Sequence, residues 1–226
     1  MPDPVPSDLT MSLDMRETSS VVRFNLNAIA EVPWKNGGGI TREIASWPPQ
    51  SDIETFDWRI SVARIDRNGP FSIFSGVDRV ITLLEGAGVV LKGEHASSHA
   101  LTQRLAPYAF DGEASIYGEL TDGSSEDLNV MSRRGRIQAK VCVHHETANV
   151  HTSTAGMLLA VGEPWHVHAS DGSQYMLAPG EGLWWSDASN TWAVRPEAAG
   201  AAAPGTGLIA IALHDNRAPR ASGDTV

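Results

Sequence analysis

Between residues 20 and 214 the chain is built of short apolar or alternating segments separated by Gly, Pro, Asn and Asp roughly every ten residues, and hardly any segment carries a helical period. In Phe56-Asp57-Trp58-Arg59-Ile60-Ser61-Val62, strict alternation places Phe56, Trp58, Ile60 and Val62 on one face and Asp57, Arg59 and Ser61 on the other. Such a segment reads as a strand with one core face and one polar face. Further strands are predicted over 21–26, 79–84, 114–117, 128–131, 137–143, 156–161, 175–178, 182–185, 191–194 and 208–213. So many short strands predict an all-β sandwich or barrel. Residues 1–19 are rich in Pro, Ser and Asp without a period, and 215–226 look similar, so a disordered leader and tail are expected.

An internal echo divides the pattern in two. Leu83-Leu84-Glu85-Gly86 with the later Leu105-Ala106-Pro107 compares with Leu159-Ala160-Val161-Gly162 and the later Leu177-Ala178-Pro179. Two similar β units follow from it, with the Ala/Gly/Pro stretch from Ala198 to Gly207 read as a flexible loop in the second.

Composition narrows the function classes. The chain has 226 residues, 42% hydrophobic and 19% charged, enough for a sizeable core, and its net charge of −10 with no long Lys/Arg run argues against nucleic acid as a partner. Cys142 is the single cysteine, which rules out an intrachain disulfide and a multi-cysteine zinc site and fits a reducing cytoplasm. No apolar run reaches the length of a membrane span, and Met1–Pro6 lacks signal-peptide character, so a cytoplasmic protein without a membrane partner is expected.

The densest chemistry lies in Trp34-Lys35-Asn36-Gly37-Gly38-Gly39-Ile40-Thr41-Arg42-Glu43-Ile44, where three glycines stand among an aromatic, two cations, a carboxamide, a hydroxyl and a carboxylate. Three consecutive glycines are retained where positive φ or a close approach to the backbone is needed, so the run reads as a ligand-facing loop, with a tight turn as the alternative. This run, with Phe56–Ser61, Gly69-Pro70-Phe71-Ser72, Gly76-Val77-Asp78-Arg79 and Asp127–Gly135, resembles the HutD/Ves family, specifically over residues 20–136 and thinly beyond. The resemblance implies a bicupin of two RmlC-like jelly-roll β-barrel modules, 20–136 and 137–214. It also implies a link to bacterial histidine utilisation and a first-barrel pocket for a small organic acid such as a formylglutamate-like molecule.

Metal-binding cupins carry a His-x-His pair and a Glu before the glycine turn, where this chain has Phe71–Phe74 and Asp78-Arg79, so neither metal nor other cofactor is expected in the first barrel. Arg42, Arg59 and Arg79 instead offer guanidinium forks to a carboxylate, Lys35 a point charge, and Trp34, Asn36, Thr41, Ser61 and Asn129 the remaining walls and directional hydrogen bonds. Equally open is that these arginines pair with Glu43, Asp57 or Asp78 to satisfy polar groups at the barrel ends. Arg133-Arg134-Gly135 reads as a solvated turn. His166-Val167-His168 puts two imidazoles on one strand face but lies beyond the glycine turn, out of place for a cupin metal, with His144, His145 and His151 elsewhere. Trp184-Trp185 reads as barrel packing, Cys142 as a small core residue, and no serine stands in a nucleophile pattern. Binding is therefore favoured over catalysis. The rivals are an acid–base enzyme using Lys35, Glu43 or Asp78, and a homodimer formed through the second barrel.

Overall fold

The computed structural model describes residues 21–94, 98–151, 153–188, 190–198 and 203–217. The expected leader and the end of the expected tail lie outside them.

The first module carries β2 (Val32–Pro33), β3 (Gly39–Trp47), β4 (Trp58–Ile65), β5 (Gly69–Pro70), β6 (Val77–Glu85), β7 (Val89–Gly93), β8 (His99–Leu101), β9 (Tyr108–Asp111), β10 (Ile116–Leu120) and β11 (Ser125–Arg133). The second carries β12 (Ile137–His144), β13 (Ala148–His151), β14 (Ala155–Val161), β15 (Trp165–Ala169), β16 (Gln174–Leu177), β17 (Glu181–Trp185), β18 (Thr191–Pro196) and β19 (Gly207–Asp215), joined by β1 (Val21–Asn25). Each module faces a large antiparallel sheet with a smaller one: β2-β3-β4-β11-β6-β9 against β5-β10-β7-β8, and β1-β17-β14-β19-β12 against β13-β18-β15-β16. These are two jelly rolls, all-β as the alternation predicted and of the kind that the resemblance implied.

The two modules repeat one plan. β6 leaves its sheet through Gly86 (φ +91) into β7, and β14 leaves through Gly162 (φ +79) into β15; β11 lies beside β6 as β19 lies beside β14. Downstream, the Leu105 amide donates to Leu83 O as the Gly180 amide donates to Ala160 O. The repeated Leu-Ala-Pro segments thus dock on equivalent strands.

Between the large sheets lies a shared core. Trp58, Ile60, Val62, Leu128 and Val130 from one module meet Met157, Leu159, Ile209, Ile211 and Leu213 from the other. Trp58 meets Trp184 edge to face, centroids 6.3 Å apart. Both large sheets are therefore covered on both faces, and the polar side of β4 points into its own barrel rather than to solvent. Leu158, Trp165, Val167, Trp185 and Trp192 fill the second barrel, leaving half-buried His166 and exposed His168 on its outer face. On β12, Val141 and Val143 pack on the shared core, so half-buried Cys142 takes the opposite face.

Two boundaries move relative to the pattern. Val21–Asn25, expected in the first unit, pairs with Glu181–Trp185 at the edge of the second unit's sheet, because Val21 packs with the second barrel's core. The strand β19 runs on to Asp215, and Arg217 bridges Asp57 (3.1 Å) and Asp215 (3.0 Å), so the chain is anchored through residue 217 rather than loose after His214. Of the Ala198–Gly207 loop, Thr206 is fixed by hydrogen bonds to Glu163 and Ala203. No helix among the described residues is long and apolar enough to cross a membrane.

Candidate functional site

A cavity of about 600 Å³ opens between the sheets of the first module. Its floor is the polar face of the large sheet, and the strand register lays that face out in rows across β11. Met131 lies opposite Arg59 on β4 and Arg79 on β6; Asn129 lies opposite Ser61 and Ile81; Asp127 lies opposite Ala63 and Leu83, with Thr41 beyond Ala63 on β3. Trp34, Lys35 and Asn36 wall one side, while Ile53, Phe71 and Phe74 supply apolar cover.

The cavity brings together Trp34, Lys35, Asn36, Thr41, Arg59, Ser61, Arg79 and Asn129, eight of the nine predicted residues. Arg42 is not among them. It stands next to Thr41 on one strand and so takes the other face, where it donates to Leu26 O and pairs with Glu126. Arg59 sits between the two readings, lining the cavity while its Nε donates to Glu43 at 2.6 Å. Arg79 departs from the ion-pair reading altogether. Its neighbour Asp78 pairs with Arg134 at 2.9 Å, and among the described residues Arg79 makes no ion pair.

Arg79 is thus a charged group with little to hold it. It is 5% exposed, its one hydrogen bond among the described residues is a long one to Ser72 O (3.4 Å), and its Nε is buried without a partner there. Phe71, Phe74 and Phe110 surround the guanidinium at 5.5, 5.4 and 4.8 Å from their ring centres. Burial, then the nearby charge of Arg59, lowers its pKa to about 10, which leaves it a cation at neutral pH. A buried cation without a counter-ion is an energetic cost that an anion entering the cavity would relieve.

Asp127 is the cavity residue that pattern reading passed over. It is fully buried, both carboxyl oxygens meet only the Ser125 hydroxyl, at 3.4 Å, among the described residues, and burial raises its pKa to about 7. The signal was present, since Asp127 and Asn129 stand two apart on one strand and must share a face. Asn129 keeps its own amide oxygen buried and unpartnered.

The glycine run proves to be scaffold for this wall rather than part of it. Trp34 N donates to Gly39 O and closes the β2–β3 turn, Gly37 supplies a φ of +65°, and a Cβ on Gly39 would lie 2.1 Å from Arg64 O. We expect Gly39→Ala to destabilise the fold by about 1–3 kcal/mol or to shift β3 away from β4, and Gly37→Ala to cost about 1 kcal/mol, both read by urea unfolding. Of the expected solvated turn Arg133-Arg134-Gly135, Arg134 and Gly135 stand exposed in a turn, whereas Arg133 serves the cavity. Arg133 donates to the carbonyls of Glu54 (2.6 Å) and Ser75 (2.9 Å), tying down the segments that carry Ile53 and Phe74.

Among the described residues no three His, Cys, Asp or Glu side chains cluster as metal ligands. The cavity offers arginine, lysine, amide and hydroxyl donors and one carboxyl, groups that can hydrogen-bond a small anion.

A polar-floored cavity between the two sheets of a repeated jelly roll defines a two-domain cupin. The cupin 2 conserved barrel domain protein of Leptotrichia buccalis shares this fold, with a TM-score of 0.52 at 12% identity, covering 85% of this chain and 96% of its own. Within that class the chain belongs to the HutD family, whose sequence model matches residues 26–203 and so extends well into the second module, past the motifs at 20–136 and stopping before β19. It is 40% identical to Protein Ves of Citrobacter koseri over 169 residues, 74% of this chain and 84% of that protein. The structure of HutD from Pseudomonas fluorescens SBW25, in a formate condition, superposes with a TM-score of 0.72 at 26% identity, covering 86% of this chain and 98% of its own.

Proposed function

We propose that the protein is a metal-independent binder of a small organic acid, held in the first module, with an accessory or regulatory role in cytoplasmic histidine utilisation. The observation that carries the binding reading is Arg79, buried, unpaired and aimed with Arg59 and Lys35 at one cavity. A volume of about 600 Å³ suits a metabolite. The histidine pathway enters through the family alone, and it directs the choice of probes.

Calorimetry of the full chain with N-formyl-L-glutamate, urocanate and formate tests the reading. At least one acid is expected to bind at millimolar affinity or better, and Arg59→Ala is expected to weaken it roughly tenfold, since one charge-assisted hydrogen bond is worth about 1.5–3 kcal/mol. No heat from any acid, or equal heat in Arg59→Ala, would sink it.

One observation supports a second reading, an acid–base enzyme. Asp127 has a pKa near 7 inside the cavity, where a general acid or base works best, whereas Glu43 is held by Arg59 and Asp78 by Arg134. Turnover of a bound acid without added metal, lost in Asp127→Asn, distinguishes this reading from binding alone.

A further inference from the structure

The rows along β11 give the cavity a direction. Arg59 and Arg79 flank Met131 at one end, Ser61 and Asn129 form the middle, and Asp127 stands four residues from Met131, about 13 Å along the strand. The arginine end is cationic. At the far end the neighbours of Asp127 in register are Ala63 and Leu83, both without charge, and Ile65 also lines the cavity.

Within this gradient two unmet hydrogen-bonding needs lie on the β11 face. The Asn129 amide oxygen is a buried acceptor without a donor. The Asp127 carboxyl is a buried group with one long contact, to Ser125, and among the described residues it has no cation within ion-pair distance. Buried polar groups are normally paired, and one left open inside a cavity is open toward the ligand.

We propose that Asp127 is the specificity-determining residue of the cavity: its carboxyl group donates a hydrogen bond to an uncharged oxygen at the far end of an elongated carboxylic acid whose carboxylate lies against Arg79 and Arg59. Asn129 Oδ1, between the two, accepts an N–H or O–H from the same molecule. The ligand class is then a monocarboxylate chain ending in a formamido, acylamino or hydroxyl group, preferred over an alkyl acid of equal length. This rests on the anion-binding reading of the same cavity.

The cations of the cavity favour the ionised form of Asp127, but among the described residues none comes within ion-pair distance of it, and burial outweighs them. Lys35, Arg59 and Arg79 share its cavity, and Glu126, its chain neighbour, faces away with Arg42, Arg64, Glu31 and Glu85 around it. Burial comes first in holding the Asp127 pKa near 7, opposed by Ser125 and aided by Glu126. The donor is therefore present below about pH 7 and is lost as pH rises through it.

The test compares 4-formamidobutanoate with hexanoate, an acid of similar length without the polar end, by NMR titration of the full chain. At pH 6 the formamido acid is expected to bind about tenfold more tightly, one hydrogen bond's worth, and most of that advantage is expected to vanish by pH 8. Asp127→Asn, which still donates, keeps the advantage and loses its pH dependence. Asp127→Val, similar in size, binds both acids alike. Equal binding of the two acids by the wild-type protein, an advantage that survives Asp127→Val, or one that grows with pH would overturn the proposal. In each of these outcomes hexanoate binding that is lost in Arg79→Met leaves the anion reading standing, whereas no binding of either acid overturns both.

Discussion

Arg79→Met is expected to abolish acid binding while leaving the protein as stable as before or more so. The two effects share one cause. Arg79 lies inside a cage of Phe71, Phe74 and Phe110 with its Nε unpartnered, and its lowered pKa shows that the fold disfavours its charge. Replacing a buried charge with an apolar side chain of similar volume is often neutral or stabilising by about 1–4 kcal/mol. Removing the cation that faces a desolvated carboxylate costs about 2–5 kcal/mol of binding, roughly 30-fold to several thousandfold in Kd. Calorimetry with N-formyl-L-glutamate or formate reads the first effect and thermal unfolding the second. A variant that binds normally would remove Arg79 from the site; one that unfolds early would show that the guanidinium holds its loop through Ser72 O more than it costs.

Trp58→Ala is expected to destabilise the whole molecule by about 3–5 kcal/mol, the usual cost of deleting a large buried aromatic. Against a typical total of about 5–15 kcal/mol this is a large fraction. Trp58 is 1% exposed and bridges the large sheets, touching the second module through the Trp184 ring. The consequence is cooperative: urea unfolding of wild type should show one transition by both fluorescence and circular dichroism, and the variant should unfold at lower urea, again in one step. Two separated transitions in the wild-type protein would mean that the modules stand alone and that this core couples them weakly.

Legibility in the sequence followed period. Where polar and apolar residues alternate cleanly, as over 56–62, the strand, its two faces and the site residues Arg59 and Ser61 were all readable. β3 was not, because its first residue is a glycine of the 37–39 run and a bulge between Glu43 and Ala45 breaks the alternation. Reading 34–44 as a loop removed the constraint that adjacent residues on a strand cannot share a face, and Arg42 was placed in the cavity beside Thr41 for that reason. Asp127 was missed for a related cause. Its period-two partner Asn129 was recognised, but the apolar segment was read as starting at Leu128, whereas the strand starts at Ser125, so the alternation was not carried back to Asp127. The edge position of β1 could not be read at all, since pairing across most of the chain leaves no local trace.

That pairing sets the order of events during synthesis. Val21 finds its partner in Trp185, so this early strand waits while nearly the whole of both barrels is translated before its ladder can form. Until then the edge of β17 is open, a row of unpaired backbone groups of the kind that recruits strands from other chains. The same crossing makes a cut after residue 136 the wrong place to separate the modules, because it would strip the second sheet of its border strand while leaving that strand, partnerless, attached to the first.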